Sequence, residues 1–179
     1  MTISPASLRP ALPGLVLAVA TLLFGFGLGI VFGLNEDIIK DRLAADAAAV
    51  TATTYQGDAA AATAVVDKSW SYMQRAHLHA GALGTAAITL TLVMVLLGTP
   101  ARATRVLSLA LSAGSLGYAV FWVWAGFRAP GMGGTSAAKE SLSWLAVPSS
   151  GLIVAATLAV FLLLCHRLLG GRVAVHPPA

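Results

Sequence analysis

The sequence predicts an all-α integral membrane protein, a four-helix bundle that forms a single four-span domain over residues 1–179. Of its 179 residues, 58% are hydrophobic and only 10% are charged, whereas a soluble domain carries about 25% charged residues. The chain also contains four apolar runs of about the 20 residues that a bilayer crossing needs. Lipid is therefore the predicted solvent for most of the surface.

The predicted membrane spans cover residues 12–34, 77–97, 104–127 and 142–165. We expect the first run to be retained as a helix, because it is longer than the apolar region of a signal peptide. Pro148, near the start of the fourth span, predicts a local kink. Residues 128–143, rich in glycine and serine, predict a loop before that span.

Residues 35–75 predict a helical hairpin outside the bilayer. Ile39 and Leu43 fall on one face of its first helix. The turn is predicted at residues 55–58, where the Asp58 side chain is suited to cap the second helix. A disordered loop is the alternative, because alanine-rich helices are weak when isolated.

The arginines predict the orientation of the chain. One membrane side holds no acidic residue, and its basic residues are Arg9, Arg102, Arg105, Arg167 and Arg172. Short basic connections and tails face the cytoplasm, so both termini are predicted there. The alanine-rich, lysine-poor composition indicates a bacterial inner membrane. The net charge of +4 comes from scattered basic residues, which does not indicate a nucleic-acid partner.

Small residues recur on the first two spans. Gly25, Gly29 and Gly33 are spaced four apart, and Gly81 and Gly84 follow the histidines of the second span. This spacing lets two helix backbones approach closely. We favour packing within one chain, with a homo-oligomeric contact as the alternative.

Two histidines at the mouth of the second span, His77 and His79, are the main candidate functional residues, because ionisable groups are costly near lipid. Residues two apart on a helix point in nearly opposite directions, so one metal ion cannot easily bind both. We expect His77 to point into the bundle beside Gly81 and Gly84. We expect His79 to point toward another helix, a partner subunit or the interface.

Carboxylates from other helix ends are expected on the same side of the membrane. The candidate metal ligands are His77, His79, Glu36, Asp37 and Glu140. Imidazole with carboxylate suits iron, copper, zinc or manganese, and imidazole with methionine suits a haem iron, which adds Met73 as a candidate. The alternative role of the histidines is structural, through hydrogen bonds that join helices.

The run His77-Leu-His79-Ala-Gly81-Ala-Leu-Gly84 resembles the His-x-His segment of haem–copper oxidase and nitric oxide reductase catalytic subunits. The resemblance covers about eight residues and implies that each histidine ligates a different haem. That family has a dozen helices and further histidines, which the first and third spans here lack. A haem b or a transition metal would then be shared across a subunit interface, or take Met73 or Met132 as second ligand.

These features predict a small accessory or scaffold subunit of a larger redox or transport assembly, either homo-oligomeric or with other chains. One alternative is a haem- or metal-binding redox protein that uses His77 and His79, and another is a channel for small solutes or ions. The sequence shows no nucleophile–base pair, phosphate-binding glycine loop or zinc-type cysteine pair. Catalysis on a soluble substrate is therefore not indicated.

Overall fold

The computed structural model of the protein describes residues 5–170, so Arg172 lies outside the described residues. Within that range the chain is helical and has no β-strand. The helices are α1 (Pro5–Leu8), α2 (Leu12–Ala48), α3 (Ala59–Leu96), α4 (Ala101–Arg128), α5 (Thr135–Ser141) and α6 (Ser143–Gly170). By length and composition α2, α3, α4 and α6 are each able to cross a membrane, which confirms the predicted all-α fold with four apolar helices.

Helix α2 is interrupted where the first predicted span ends. Asn35 has an extended backbone (φ −161°, ψ 78°), and the helix restarts beyond it. The polar run that begins at Asn35 therefore separates an apolar inner part from an amphipathic outer part, in which Ile39 and Leu43 are buried.

The predicted hairpin over residues 35–75 consists of the outer parts of α2 and α3. Ile39 and Leu43 pack against Met73 of α3. The Asp58 side chain accepts a 2.9 Å hydrogen bond from the Ala61 amide, which confirms the predicted cap. The turn between the two helices needs left-handed backbone at two positions, one of them a glycine. The contacts between its two helices stabilise a segment that alanine content alone would leave weak.

The tip of the hairpin is tied to the segment after α4. The Tyr55 hydroxyl donates a 2.7 Å hydrogen bond to the Pro130 carbonyl, and the Thr54 methyl group lies against Gly133. The expectation of a loop throughout residues 128–143 is wrong, because α5 forms there. Helix α5 is held by burial of Ala138 and of the following Leu142, both fully buried.

The four long apolar helices do not form a symmetrical four-helix bundle. Helices α2, α3 and α4 pack against one another, whereas α6 packs almost entirely against α4. Glycines permit the close approach of α4 and α6: a Cβ added at Gly114 would lie 2.7 Å from the Ser149 carbonyl oxygen. Helix α4 is also joined to α2, because the Ser112 hydroxyl donates a 2.8 Å hydrogen bond to the Gly14 carbonyl. Helix α6 is therefore an addition to a three-helix core and leaves most of its apolar surface exposed.

The Tyr55→Phe substitution tests the connection at the hairpin tip. It removes the hydrogen bond to Pro130 and should weaken docking of the tip by about 1 kcal/mol, seen as faster amide exchange over residues 51–58. The control is Tyr118→Phe, because the Tyr118 hydroxyl has no hydrogen-bond partner within residues 5–170. Equal exchange in the two variants would contradict a stabilising role for this bond.

The same contact should depend on pH. Burial raises the pKa of the Tyr55 phenol above its ordinary value of 10.0, so folding favours the neutral phenol. This contribution to stability is full below pH 10 and is lost as the pH rises through the raised pKa. In alkali, amide exchange at the hairpin tip should therefore accelerate in the native protein as Tyr55 ionises. The Tyr55→Phe variant should lack this additional acceleration.

Candidate functional site

His77 lies on the side of α3 that faces α2. Its Nδ1 atom is 2.8 Å from the Gly25 carbonyl oxygen, and the ring lies against Gly29, where an added Cβ would be 2.7 Å from Cε1. The Phe32 ring is edge-on at 6.2 Å. The absence of a side chain at Gly29 therefore creates the space that the imidazole occupies between the two helices.

His79 faces a different helix, as the opposed directions of alternate residues require. Its ring lies 5.2 Å from the Tyr118 ring and 6.0 Å from the Trp122 ring of α4. Its Nδ1 atom is 2.7 Å from the carbonyl oxygen of Arg75, one turn earlier on α3. Of the three expected directions for His79, the structure shows the one toward another helix.

The hydrogen bonds assign the same tautomer to both histidines. A carbonyl oxygen only accepts hydrogen bonds, so Nδ1 of His77 and of His79 carries the proton in the neutral ring. The Nε2 atoms then hold the lone pair. Neither Nε2 has a hydrogen-bond partner within residues 5–170, and neither is sealed from its surroundings. A metal-bound histidine typically uses its other ring nitrogen in this way, as a donor to a carbonyl.

The predicted carboxylates do not join the histidines in a metal cluster. Glu36 forms a 2.7 Å ion pair with Lys40, and this hydrogen bond raises the pKa of the Lys40 ammonium. Asp37 and Glu140 are exposed. Within the described part of the chain, no group of three or more histidine, cysteine or acidic residues is placed to hold a metal ion.

The two candidate methionines have different environments. Met73 is fully buried, and its Cε atom would lie 2.9 Å from a Cβ added at Gly126 of α4. Met73 therefore fills the core between α3 and α4. Met132 is partly exposed, and its sulfur accepts a long 3.9 Å contact from the Ser141 hydroxyl. The side chain of each methionine therefore already contacts other residues of the fold.

The predicted packing glycines divide into two groups. A Cβ added at Gly25 would lie 2.9 Å from Ala80, and one added at Gly84 would lie 2.9 Å from Leu22. A Cβ added at Gly29 would meet His77. These three glycines lie where α2 and α3 approach closely. Added Cβ atoms at Gly33 and Gly81 would meet nothing within 4 Å.

Sequence reasoning missed the aromatic and cationic groups beside His79. The Arg75 guanidinium lies 5.3 Å from the Tyr72 ring and 5.2 Å from the Trp122 ring, and the Trp122 Nε1 atom is buried without a hydrogen-bond partner. The spacing of Tyr72, Arg75 and His79, which places them on one face of α3, is the signal that identifies this cluster.

Comparisons with protein families, with characterised proteins and with solved structures give no match to this chain. The functional argument therefore depends on the contacts of the residues themselves.

The Gly29→Ala substitution tests the position of His77. The added methyl group would displace the ring and strain its bond to Gly25, so thermal unfolding in detergent should show a loss of about 1–3 kcal/mol. The control is Gly33→Ala, one turn along α2 with open space around it, which should be neutral or slightly stabilising because alanine favours a helix. If the two variants unfold alike, His77 does not occupy this position.

Proposed function

We propose that the chain is a small membrane-embedded accessory or scaffold subunit of a larger redox or transport assembly. The observation that carries this proposal is the chemistry of the core. Within the described residues, the buried side chains with polar groups are serines, threonines and the tyrosines Tyr55 and Tyr72, and no acidic, basic or histidine side chain is buried. A core without a buried carboxylate, histidine, lysine or arginine has no charge relay to use, and serine and threonine hydroxyls join helices in membranes.

The distribution of charge supports a position in the bacterial inner membrane with both termini in the cytoplasm. Arg9, Arg102 and Arg105 line one cleft, and Arg167 donates a 2.8 Å hydrogen bond to the Leu97 carbonyl, which joins the ends of α6 and α3. All seven carboxylates lie in the outer hairpin or on α5. The basic end is the one that the positive-inside rule assigns to the cytoplasm.

Helix α6 is the surface that supports assembly with a partner or a second copy. Because α6 packs almost entirely against α4, the side chains on its other sides are exposed, including Leu158 and Phe161 at 54% and 57%. Lipid solvates such a face, and another membrane helix packs against it equally well.

The mass of the complex extracted from native membranes in mild detergent tests this proposal. We expect a species larger than the 18.2 kDa chain, which Leu158→Trp should dissociate. The control is Leu23→Trp, on the exposed face of α2, which should leave the complex intact. A single chain alone in native membranes would refute the subunit proposal.

A haem- or metal-binding redox protein is the second candidate, and the Nε2 atoms of His77 and His79 favour it. Both rings donate from Nδ1 to a carbonyl, which leaves Nε2 as a basic ligand atom, and the His-x-His resemblance points to the same chemistry. Because the rings face α2 and α4, each would bind its own group, with the other ligand supplied by a second copy or by Met132. The remaining alternative, a channel for small solutes or ions, stays a prediction, because none of the contacts described above supports it.

An optical spectrum and metal analysis of the purified protein distinguish the redox candidate. It predicts a haem Soret band or stoichiometric metal that is lost in His77→Ala or His79→Ala. The control is His166→Ala, because His166 is exposed near the far end of α6. A folded, colourless and metal-free preparation from native membranes would eliminate this candidate.

A further inference from the structure

An arginine-lined cleft lies between the starts of α2 and α4, at the opposite end of the molecule from the hairpin. It has a volume of about 590 Å³, and its charged lining consists of Arg9, Arg102 and Arg105. All three side chains are exposed, and none has a hydrogen bond or ion pair within residues 5–170. Pro100, which precedes α4, supplies no side-chain cap to the first turn.

No acidic side chain within residues 5–170 balances the positive charge of this cleft, which we call the arginine cleft. The acidic residues of the sequence lie between Glu36 and Asp67, or at Glu140 on α5. None of them belongs to the end of the molecule that holds the cleft. Guanidinium groups present several donors in a plane that matches phosphate oxygens, so the cleft is suited to a phosphate group.

An apolar groove adjoins the arginine cleft and shares Arg102 with it. The groove has a volume of about 560 Å³, and its other lining residues are Pro100, Ala103, Val106 and Leu107. Val106 is 57% exposed and lies one turn further into the apolar part of α4. A free phosphate ion would gain nothing from contact with this apolar surface, whereas a hydrocarbon chain attached to a phosphate would be buried against it.

We propose that the arginine cleft and the adjoining groove bind an anionic phospholipid. The phosphate group lies among the three guanidinium groups, and an acyl chain follows Val106 and Leu107 along α4. Basic pockets at the cytoplasmic end of membrane helices bind anionic headgroups in this way. This inference rests on the proposed membrane position, but it holds whichever of the proposed functions is correct.

Reconstitution of the full chain into phosphatidylcholine nanodiscs tests the proposal, with phosphatidylglycerol as the probe and native mass spectrometry as the measurement. Phosphatidylglycerol should bind in preference to phosphatidylcholine. Replacing Arg102 by glutamine should weaken it roughly fivefold, and replacing Arg9, Arg102 and Arg105 together on the order of 100-fold. Thermal unfolding in phosphatidylcholine checks that these variants fold.

A matched control removes the same charge at the other end, with Arg42, Lys68 and Lys139 replaced by glutamine. It should bind phosphatidylglycerol like the native chain, and an equal loss there would overturn the proposal by showing a general charge effect. Equal binding of the two lipids would also overturn it. Failure of the chain to insert into the nanodisc would refute both this inference and the membrane subunit, whereas insertion without lipid preference refutes this inference alone.

Inorganic phosphate and Val106→Ser separate a lipid site from an ion site. We expect Val106→Ser to weaken phosphatidylglycerol binding, because it disrupts the groove while leaving the arginines in place. Inorganic phosphate that displaces the lipid at millimolar concentration, together with an unchanged Val106→Ser variant, would show a site for the free ion and overturn the assignment to lipid.

Discussion

Close approach of helices at small residues is the constraint on which the rest of the structure depends. In lipid, apolar side chains gain little by leaving their solvent, so helices associate through packing and hydrogen bonds instead. Here Gly25 and Gly84 bring α2 against α3, and Gly114 brings α6 against α4. Buried hydroxyls add hydrogen bonds between helices, as the Ser112 hydroxyl does by donating to the Gly14 carbonyl. The core is therefore narrow, and many large apolar side chains of the four apolar helices are exposed.

The histidines show how this packing determines the chemistry of the site. His77 fits between α2 and α3 because Gly29 has no side chain, and a larger residue there would exclude the ring. His79 instead joins the aromatic rings of α4. One pair of closely spaced residues thus contributes to two separate helix contacts. These contacts fix the direction of each ring, and they leave the Nε2 atom of each without a hydrogen-bond partner within residues 5–170.

The sequence predicts those parts of the fold that depend on local pattern. Run length predicts the four apolar helices, and Asp58 predicts the start of α3 because a cap acts within one turn. Contacts that depend on how one helix is rotated against another could not be predicted. The attachment of α6 through Ser149 and the placement of Trp122 beside His79 are of this kind. Helix α5 was missed because glycines precede it and its stability comes from burial of Leu142, a tertiary effect.

The bond between Tyr55 and Pro130 links the length of the outer hairpin to the length of α4. Residues 36–48 extend about 20 Å beyond the break in α2, and the bond holds the end of α4 near the tip of that extension. Helix α4, with 28 residues, is about 42 Å long, which exceeds a hydrocarbon thickness of about 30 Å. If the arginines lie at the inner boundary of a bilayer, as proposed, the surplus length of α4 emerges on the outer side. In that position the Tyr118 and Trp122 rings beside His79 would lie toward the outer boundary of the hydrocarbon layer.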